Sequence, residues 1–319
     1  MDTIWGLGNL GIQASGSAVT IGVFDGVHLG HQAIMRTVRS GAERRHARSV
    51  VVTFDRNPDE ILKPGSAPVC ITTLRQKMAL IAAQGMDAAV VLHLDPQLLG
   101  TPAEDFVSEV LHNKLRAAEV IVGRNFAFGR GRLGTVDLLR GMGSKLDFAV
   151  TIVPPALVEG ITVSSTAVRG LISSGRVEKA SKFLGRPFVL EGQVVAGDGL
   201  GRKLGYPTAN IRPADSQIIP ARGVYAVSLR IGKVDARGVA NIGARPTFGG
   251  ASVGMEVYII GFSDDIYDKD VEVAFLYRLR GEIRFPDSES LVRQIGEDVA
   301  LAKTLMEQQG SEDQAKRVP

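Results

Sequence analysis

From Ser17 to Pro155 the apolar residues fall in short β-branched runs separated by longer segments of helical period. That alternation is the signature of a mostly parallel sheet covered by helices. It predicts strands over 18–24, 49–54, 88–94, 119–122 and 148–153, and helices over 30–46, 73–84 and 101–115. The third helix opens Thr101-Pro102-Ala103-Glu104, which predicts Thr101 as its cap, Pro102 at the first helical position and Glu104 reaching back to the cap. A doubly wound α/β domain of this kind takes its ligand at the carboxyl ends of its strands.

A short helical region over 166–184 follows, and the pattern changes at Gly185-Arg186-Pro187. Strand-like segments then run over 188–195, 223–231, 236–241, 255–260 and 271–278 with Gly and Asp turn signals between them. They predict an antiparallel barrel or sandwich. A closing amphipathic helix is capped by Asp287 and turns Leu291, Ile295, Val299 and Met306 to one face. Two domains are expected, 1–186 and 187–319, since 319 residues with 45% hydrophobic content exceed what one core usually fills.

Composition narrows the function classes. The single cysteine, Cys70, forms no intramolecular disulfide, and neither a leader-like segment nor an apolar run of membrane-spanning length stands out. A cytoplasmic protein with no membrane partner is expected, as a monomer or weak homo-oligomer. A net charge of +3 with 6% aromatics suits phosphate-bearing ligands and falls short of a nucleic-acid footprint. The densest basic cluster, Arg44-Arg45-His46-Ala47-Arg48, sits at a predicted helix end, where cations complement the dipole.

The first candidate site is Gly22-Val23-Phe24-Asp25-Gly26-Val27-His28-Leu29-Gly30-His31, where the first strand turns into the first helix. A helix N-terminus offers free N–H groups and a positive dipole end, glycines admit a phosphate, and imidazoles add donors. An isolated H-x-x-H is more often a packed or surface pair, and zinc would need a third His or Cys ligand nearby. The surrounding residues decide between these readings. His28-Leu29-Gly30-His31 after a strand resembles the HxGH signature of the α/β nucleotidyltransferase superfamily, and Gly22 to Val27 looks like its flavin-specific branch.

Further segments follow in that family's order. Thr53-Phe54-Asp55-Arg56-Asn57-Pro58 ends the second strand, and Val122-Gly123-Arg124-Asn125-Phe126-Ala127-Phe128-Gly129 ends the fourth. Val163-Ser164-Ser165-Thr166-Ala167-Val168-Arg169 resembles the phosphate-gripping segment, whose hydroxyls and Arg fork hold ATP. The resemblance implies a catalytic role for His28 and His31. It implies nucleotide or flavin binding by Gly22, Phe24, Asp25, Gly30, Asn57, Asn125, Phe128, Ser164, Thr166 and Arg169. At Asn57 many members of the family carry His. Gly129-Arg130-Gly131-Arg132-Leu133-Gly134 fits G-x-G-x-x-G without following a strand directly, and is read as a mobile loop near the nucleotide.

The second candidate site is Gly197-Asp198-Gly199-Leu200-Gly201-Arg202-Lys203-Leu204-Gly205-Tyr206-Pro207-Thr208-Ala209-Asn210. Glycines and cations suit a loop over phosphates, and Thr208 and Asn210 offer the hard oxygens that Mg²⁺ prefers. Walker and protein-kinase signatures are absent. The string from Gly201 to Asn210 resembles the riboflavin kinase signature. Gly223-Val224-Tyr225-Ala226, Asn241-Ile242-Gly243-Ala244-Arg245-Pro246-Thr247-Phe248, Met255-Glu256-Val257-Tyr258 and Leu279-Arg280-Gly281-Glu282-Ile283-Arg284-Phe285 follow in that family's order.

Together the halves are similar to the prokaryotic bifunctional riboflavin kinase/FMN adenylyltransferase (FAD synthetase) family. The resemblance implies a parallel-sheet nucleotidyltransferase domain followed by a six-stranded antiparallel kinase barrel with a terminal helix. It implies Glu256 as catalytic base, Mg²⁺ at Thr208 and Asn210, and ligand contacts from Gly201, Arg202, Lys203, Gly205, Pro207 and Arg245. ATP, riboflavin and FMN would be the substrates. A kinase alone, or a binding module whose chemistry has lapsed, are the competing expectations, the second disfavoured because His28, His31, Arg169, Thr208, Asn210 and Glu256 are all present.

Overall fold

The computed structural model describes residues 1–8, 16–197, 199–214, 216–247 and 250–315, without the side chains of 200, 203, 244–247, 250–253 and 309–315. It separates into two compact units, Met1–Ser165 and Thr166–Pro319. This division precedes the expected one at 186/187, because residues 166–186 pack with the second unit. Phe183 and Leu184 are buried there, and the Glu178 carboxylate accepts the Arg278 N–H at 2.9 Å.

The first unit runs β1 (Asp2–Trp5), β2 (Ser17–Ile21), α1 (Leu29–Arg45), β3 (Arg48–Phe54), α2 (Pro58–Leu62), α3 (Leu74–Ala83), β4 (Ala88–Leu92), α4 (Pro96–Leu99) and α5 (Ala103–Asp105). A π-helical stretch Phe106–Lys114 continues α5, and β5 (Ala117–Gly123), α6 (Val136–Leu146), β6 (Ala149–Val153) and the hairpin β7 (Leu157–Val158) and β8 (Ile161–Thr162) follow. The sheet order is β1-β4-β3-β2-β5-β6, with every pairing parallel. β2 and β4 are buried at every position, as strands covered on both faces must be. The chain leaves β2 toward β3 on one side and later returns to β5 on the other. The crevice at the carboxyl end of β2 is therefore the topological switch point.

Two local expectations are corrected. Thr101 does not cap the third helix: its hydroxyl donates to the Gln97 carbonyl at 3.2 Å, ending α4, and Pro102 stands at the cap position with no side-chain bond. The expected elements also omit β1, a four-residue edge strand, and the amphipathic α6, which Thr135 caps by accepting the Leu138 N–H at 3.2 Å. The basic cluster is structural, as expected. Arg45 Nε donates to Glu119 Oε2 at 3.0 Å and Arg44 lies 3.6 Å from it, while Glu119 Oε1 accepts from Thr151 Oγ1 at 2.7 Å.

The second unit runs α7 (Ser165–Ser173, starting at the division), α8 (Val177–Leu184), β9 (Phe188–Val195), α9 (Leu200–Lys203), β10 (Thr208–Pro213), β11 (Gly223–Ile231), β12 (Val234–Thr247), β13 (Gly250–Ile259), β14 (Asp270–Arg280) and α10 (Ser288–Ala315). Strands β10-β13-β12-β11-β14-β9 close into a six-stranded barrel. The sixth strand, β10, begins in the motif at Thr208 and runs on to Pro213, without the clean alternation that predicts a strand. Met255, Val257, Tyr225, Val227, Ala240 and Ile242 fill the interior. On the outer face Val224, Ala226 and Val239 pack with Ala302 and Met306 of α10, and Asp287 Oδ1 caps α10 by accepting the Ser290 N–H at 2.7 Å.

Burial pushes the Glu119 carboxyl's pKa up, but the Thr151 and Arg45 hydrogen bonds and the charges of Arg45 and Arg44 outweigh it and hold the group below the ordinary glutamate range. A carboxylate with a depressed folded-state pKa stabilises the fold above its unfolded pKa, and that contribution is lost as pH falls through the folded value. Glu119→Gln is expected to cost about 1–3 kcal/mol at neutral pH. Urea unfolding at a series of pH values should show the difference from the parent protein narrowing in acid.

Candidate active sites

The turn after β2 bends sharply, with positive φ at Phe24 (51°), Gly26 (79°) and Val27 (39°). Left-handed backbone at non-glycine residues is costly and persists only where its surroundings enforce it. Here Asp25 supplies much of the enforcement. Its buried carboxylate accepts the Ile71 N–H at 2.9 Å and the Thr72 N–H at 3.1 Å, while the Gly26 N–H donates to Thr72 Oγ1 at 3.0 Å. Ser165 Oγ, at the end of the first unit, donates to the Asp25 carbonyl at 3.0 Å.

This turn delivers two imidazoles to the N-terminus of α1. His28 is the N-cap, and its Nδ1 accepts the His31 N–H at 3.4 Å, which assigns the proton of the neutral ring to Nε2. The His28 and His31 rings stack with centroids 3.6 Å apart, and Phe24 meets His31 edge-on at 5.1 Å. A Cβ at position 30 would stand 3.2 Å from the His28 ring, so Gly30 gives that ring its place. Burial, then the charges of His28 and Lys77, push the pKa of His31 well below the ordinary imidazole value. Its Nδ1 is enclosed and has no hydrogen-bond partner among the described residues.

The other expected ligand contacts divide. Asn125 is exposed in the turn after β5, on the far side of the switch point from β3. The Val163 carbonyl lies 3.7 Å from the Cβ position of Gly30, which brings the segment carrying Ser164 against the histidine turn. Thr166 and Arg169 follow three residues apart on α7. Gly22 follows β2 directly, where a Cβ would press on the Phe24 ring at 3.0 Å. By contrast Asp25 and Phe24 face inward, and Phe128, 9% exposed, stacks on Phe126 within the core. Asn57 caps α2: its Oδ1 accepts the Asp59 N–H at 3.1 Å and its own N–H donates to Glu60 Oε1 at 2.8 Å. The Gly129–Gly134 loop is closed at its base by reciprocal Phe128–Gly134 backbone hydrogen bonds of 3.1 and 2.9 Å, so it is pinned at both ends.

In the barrel, strand register does the positioning. Asn210 pairs with Glu256, Glu256 with Asn241, Asn241 with Val224 and Val224 with Arg280, a continuous row across five strands on the outer face. The next row places Thr208 opposite Tyr258, and Tyr258 opposite Val239. Directly opposed side chains stand about 5 Å apart at Cβ. Above these rows opens a cavity of about 660 Å³ lined by Thr208, Glu256, Tyr258, Asn241, Arg280 and, from α10, Leu291, Ile295 and Asp298. A second cavity of about 420 Å³ shares Thr208 and is lined by Arg202, Pro207 and residues 262–267. The glycine loop lies close on this face. A Cβ on Gly197 would strike the Asn210 amide, and one on Gly201 the Tyr206 carbonyl and Thr208 hydroxyl. Gly205 turns with φ 82°. The Lys203 and Arg245 side chains fall outside the described residues.

One element of the cavity wall went unnoticed in the sequence. Arg280 Nη2 and Nε donate to Asp298 at 2.8 and 3.1 Å, both residues largely buried, and Gln294 Nε2 adds a bond to Asp298 at 3.2 Å. The pair fastens α10 to β14 beside Leu291 and Ile295. A signal was present: Asp298 stands on the apolar face of the terminal helix, where a carboxylate needs a partner.

Comparison with known proteins agrees with both halves. The family model for FAD synthetase matches residues 12–167, and that for riboflavin kinase matches 184–306. A bifunctional riboflavin kinase/FMN adenylyltransferase of Escherichia coli K12 is 36% identical over 305 residues, spanning 95% of this chain and 97% of its own. The Pseudomonas fluorescens protein of the same name is 38% identical, spanning 96% and 98%. A crystal structure from Streptococcus pneumoniae, described as a macrolide-efflux protein, superimposes with a TM-score of 0.86 at 31% identity, covering 95% of this chain and 99% of that one. In the present protein, no helix among the described residues is long and apolar enough to cross a membrane. With relatives matched along nearly the whole of both lengths, the chain belongs to the bifunctional riboflavin kinase/FMN adenylyltransferase family.

Proposed function

We propose that the barrel phosphorylates riboflavin to FMN with ATP, and that the turn after β2 carries the adenylylation of FMN to FAD with release of pyrophosphate. The observation that carries the reading is the outer-face row in which Glu256, paired with Asn210, and Asn241 line a cavity large enough for a flavin, flanked by a second cavity at Thr208. The larger cavity, with its apolar α10 wall, suits the isoalloxazine ring. The smaller one, under the glycine loop with Arg202, suits the nucleotide.

Glu256 is the base for the first reaction. Its carboxylate accepts the proton of the ribityl 5′-hydroxyl as that oxygen attacks the γ-phosphorus, and ADP leaves. Magnesium fits the donor set: the Thr208 hydroxyl and Asn210 carboxamide, two residues apart on one face of β10 next to Glu256, are the hard oxygens that would hold it. Bound there, the ion neutralises phosphate charge.

In the second reaction a phosphate oxygen of FMN attacks the α-phosphorus of ATP. His28 offers Nε2–H and α1 its free amides to the charge that grows on the non-bridging oxygens. Ser164 is assigned to the departing pyrophosphate, and Thr166 and Arg169, in the second unit, carry that assignment from the family resemblance alone. Asn57 is assigned to the shape of the loop through its cap, with Arg56 as the neighbouring cation. The protein is assigned to the cytoplasm, where ATP and riboflavin are both dissolved.

Glu256→Gln preserves shape and removes basicity. FMN formation from riboflavin should fall about 10²- to 10⁴-fold while FMN supplied directly is still converted to FAD. Unimpaired riboflavin phosphorylation would remove Glu256 from the mechanism. Replacing His28 and His31 together by Ala should reverse the pattern, lowering FAD formation about 10²-fold or more with FMN formation nearly unchanged. Chromatographic separation of the three flavins reads both variants, and wild-type FAD synthesis in the double variant would refute the phosphate-site assignment.

A further inference from the structure

Lys77 of α3 is 6% exposed, an unusual place for an ammonium group. Its Nζ donates to the Phe54 carbonyl at 2.7 Å, where β3 ends, and to the Val23 carbonyl at 3.2 Å, in the turn after β2. Thr53 Oγ1 donates to the same Val23 carbonyl at 3.2 Å. The segment that leads into α3 meanwhile grips the next residues of the turn, through the Ile71 and Thr72 amides on the Asp25 carboxylate. One helix and its approach thus hold the strained turn from both sides, and that turn carries His28 and His31.

We infer that Lys77 is a positioning residue for adenylyl transfer, fixing from behind the Val23–Asp25 backbone on which the two histidines stand and bringing its buried amino group to the same turn. The inference rests on the reading of this turn as the adenylyl site.

The groups around the ammonium are consistent with a retained cation. Asp25 in the turn, Asp55 after β3, Glu60 in α2 and Cys70 before α3 all act on it, favouring the charged form, although burial draws its pKa down from the ordinary lysine value. His31 of α1 is its basic neighbour, itself flanked by His28, and the Lys77 charge adds to burial in opposing protonation of that ring. Lys77 therefore acts, with burial and His28, against a charge on His31. A lysine serving only as a tether would fix the turn without setting the pH at which His31 protonates.

The test uses the full chain with Lys77→Met and Lys77→Arg. FMN-to-FAD turnover is followed between about pH 5.5 and 9, across the imidazole range. Riboflavin phosphorylation by the same preparation reports folding. In Lys77→Met, FAD formation at neutral pH should fall about 10- to 100-fold, the scale of a misplaced catalytic group. Its acidic limb should move to higher pH, because a cation that opposed protonation of His31 is gone. Riboflavin phosphorylation should stay within about twofold. Lys77→Arg should keep the acidic limb where the parent protein has it, even at reduced turnover. An unmoved acidic limb in Lys77→Met, or equal movement in both variants, overturns the role. Should Lys77→Met lose both activities, Lys77→Arg decides alone: a limb at the parent position supports the inference and a displaced one contradicts it. Failure of the parent protein to form FAD would instead remove the adenylyl reading on which the inference stands.

Discussion

Strand register is the constraint from which the kinase half follows. Side chains along a strand alternate between faces, so a one-residue slip of β13 would turn Glu256 into the barrel interior and Met255 and Val257 out to water. Burying a carboxylate and exposing two large apolar groups makes that slip prohibitive. The same apolar pattern that closes the barrel therefore aligns Asn210, Glu256, Asn241 and Arg280 in one row. α10 then roofs the row, fastened by Arg280 and Asp298.

The first unit positions its chemistry by other means. A parallel sheet buried on both faces has little room for polar side chains along its strands, so the functional groups gather on the turns at the carboxyl ends. The turn after β2 is strained at Phe24 and Val27, and the Asp25 carboxylate with the Lys77 ammonium offsets that cost through bonds to backbone groups. Asp25 and Lys77 hold the shape of the turn that carries His28 and His31, the pair proposed for the chemistry. In the barrel the equivalent tightness comes from the glycine loop, where Gly197 and Gly201 leave no space for a side chain beside Asn210 and Thr208.

Legibility in the sequence followed the physics of each signal. Long periodic segments such as α1 and α10 and uniformly apolar strands such as β4 were readable, because burial dictates their pattern. β10 was not, since its residues 208–213 serve the site and depart from clean alternation. The Thr101 cap failed because the helix begins one residue later than expected, at Ala103 with Pro102 in the cap position. Residue identities at both sites were legible through motif order, whereas their roles needed contacts. The Asp25 carboxylate accepts the Thr72 amide, Phe128 stacks on Phe126, and Asn57 caps α2, contacts that motif order alone does not display. Lys77 and Asp298 were visible only as charges on otherwise apolar helix faces.

The central claim is that one chain carries both reactions in sequence. Its most direct test is a time course of purified protein with riboflavin, excess ATP and Mg²⁺, with the flavins separated by chromatography. The account predicts that FMN appears first, passes through a maximum and gives way to FAD. FMN accumulating to completion without FAD, or riboflavin left unconverted, would contradict it.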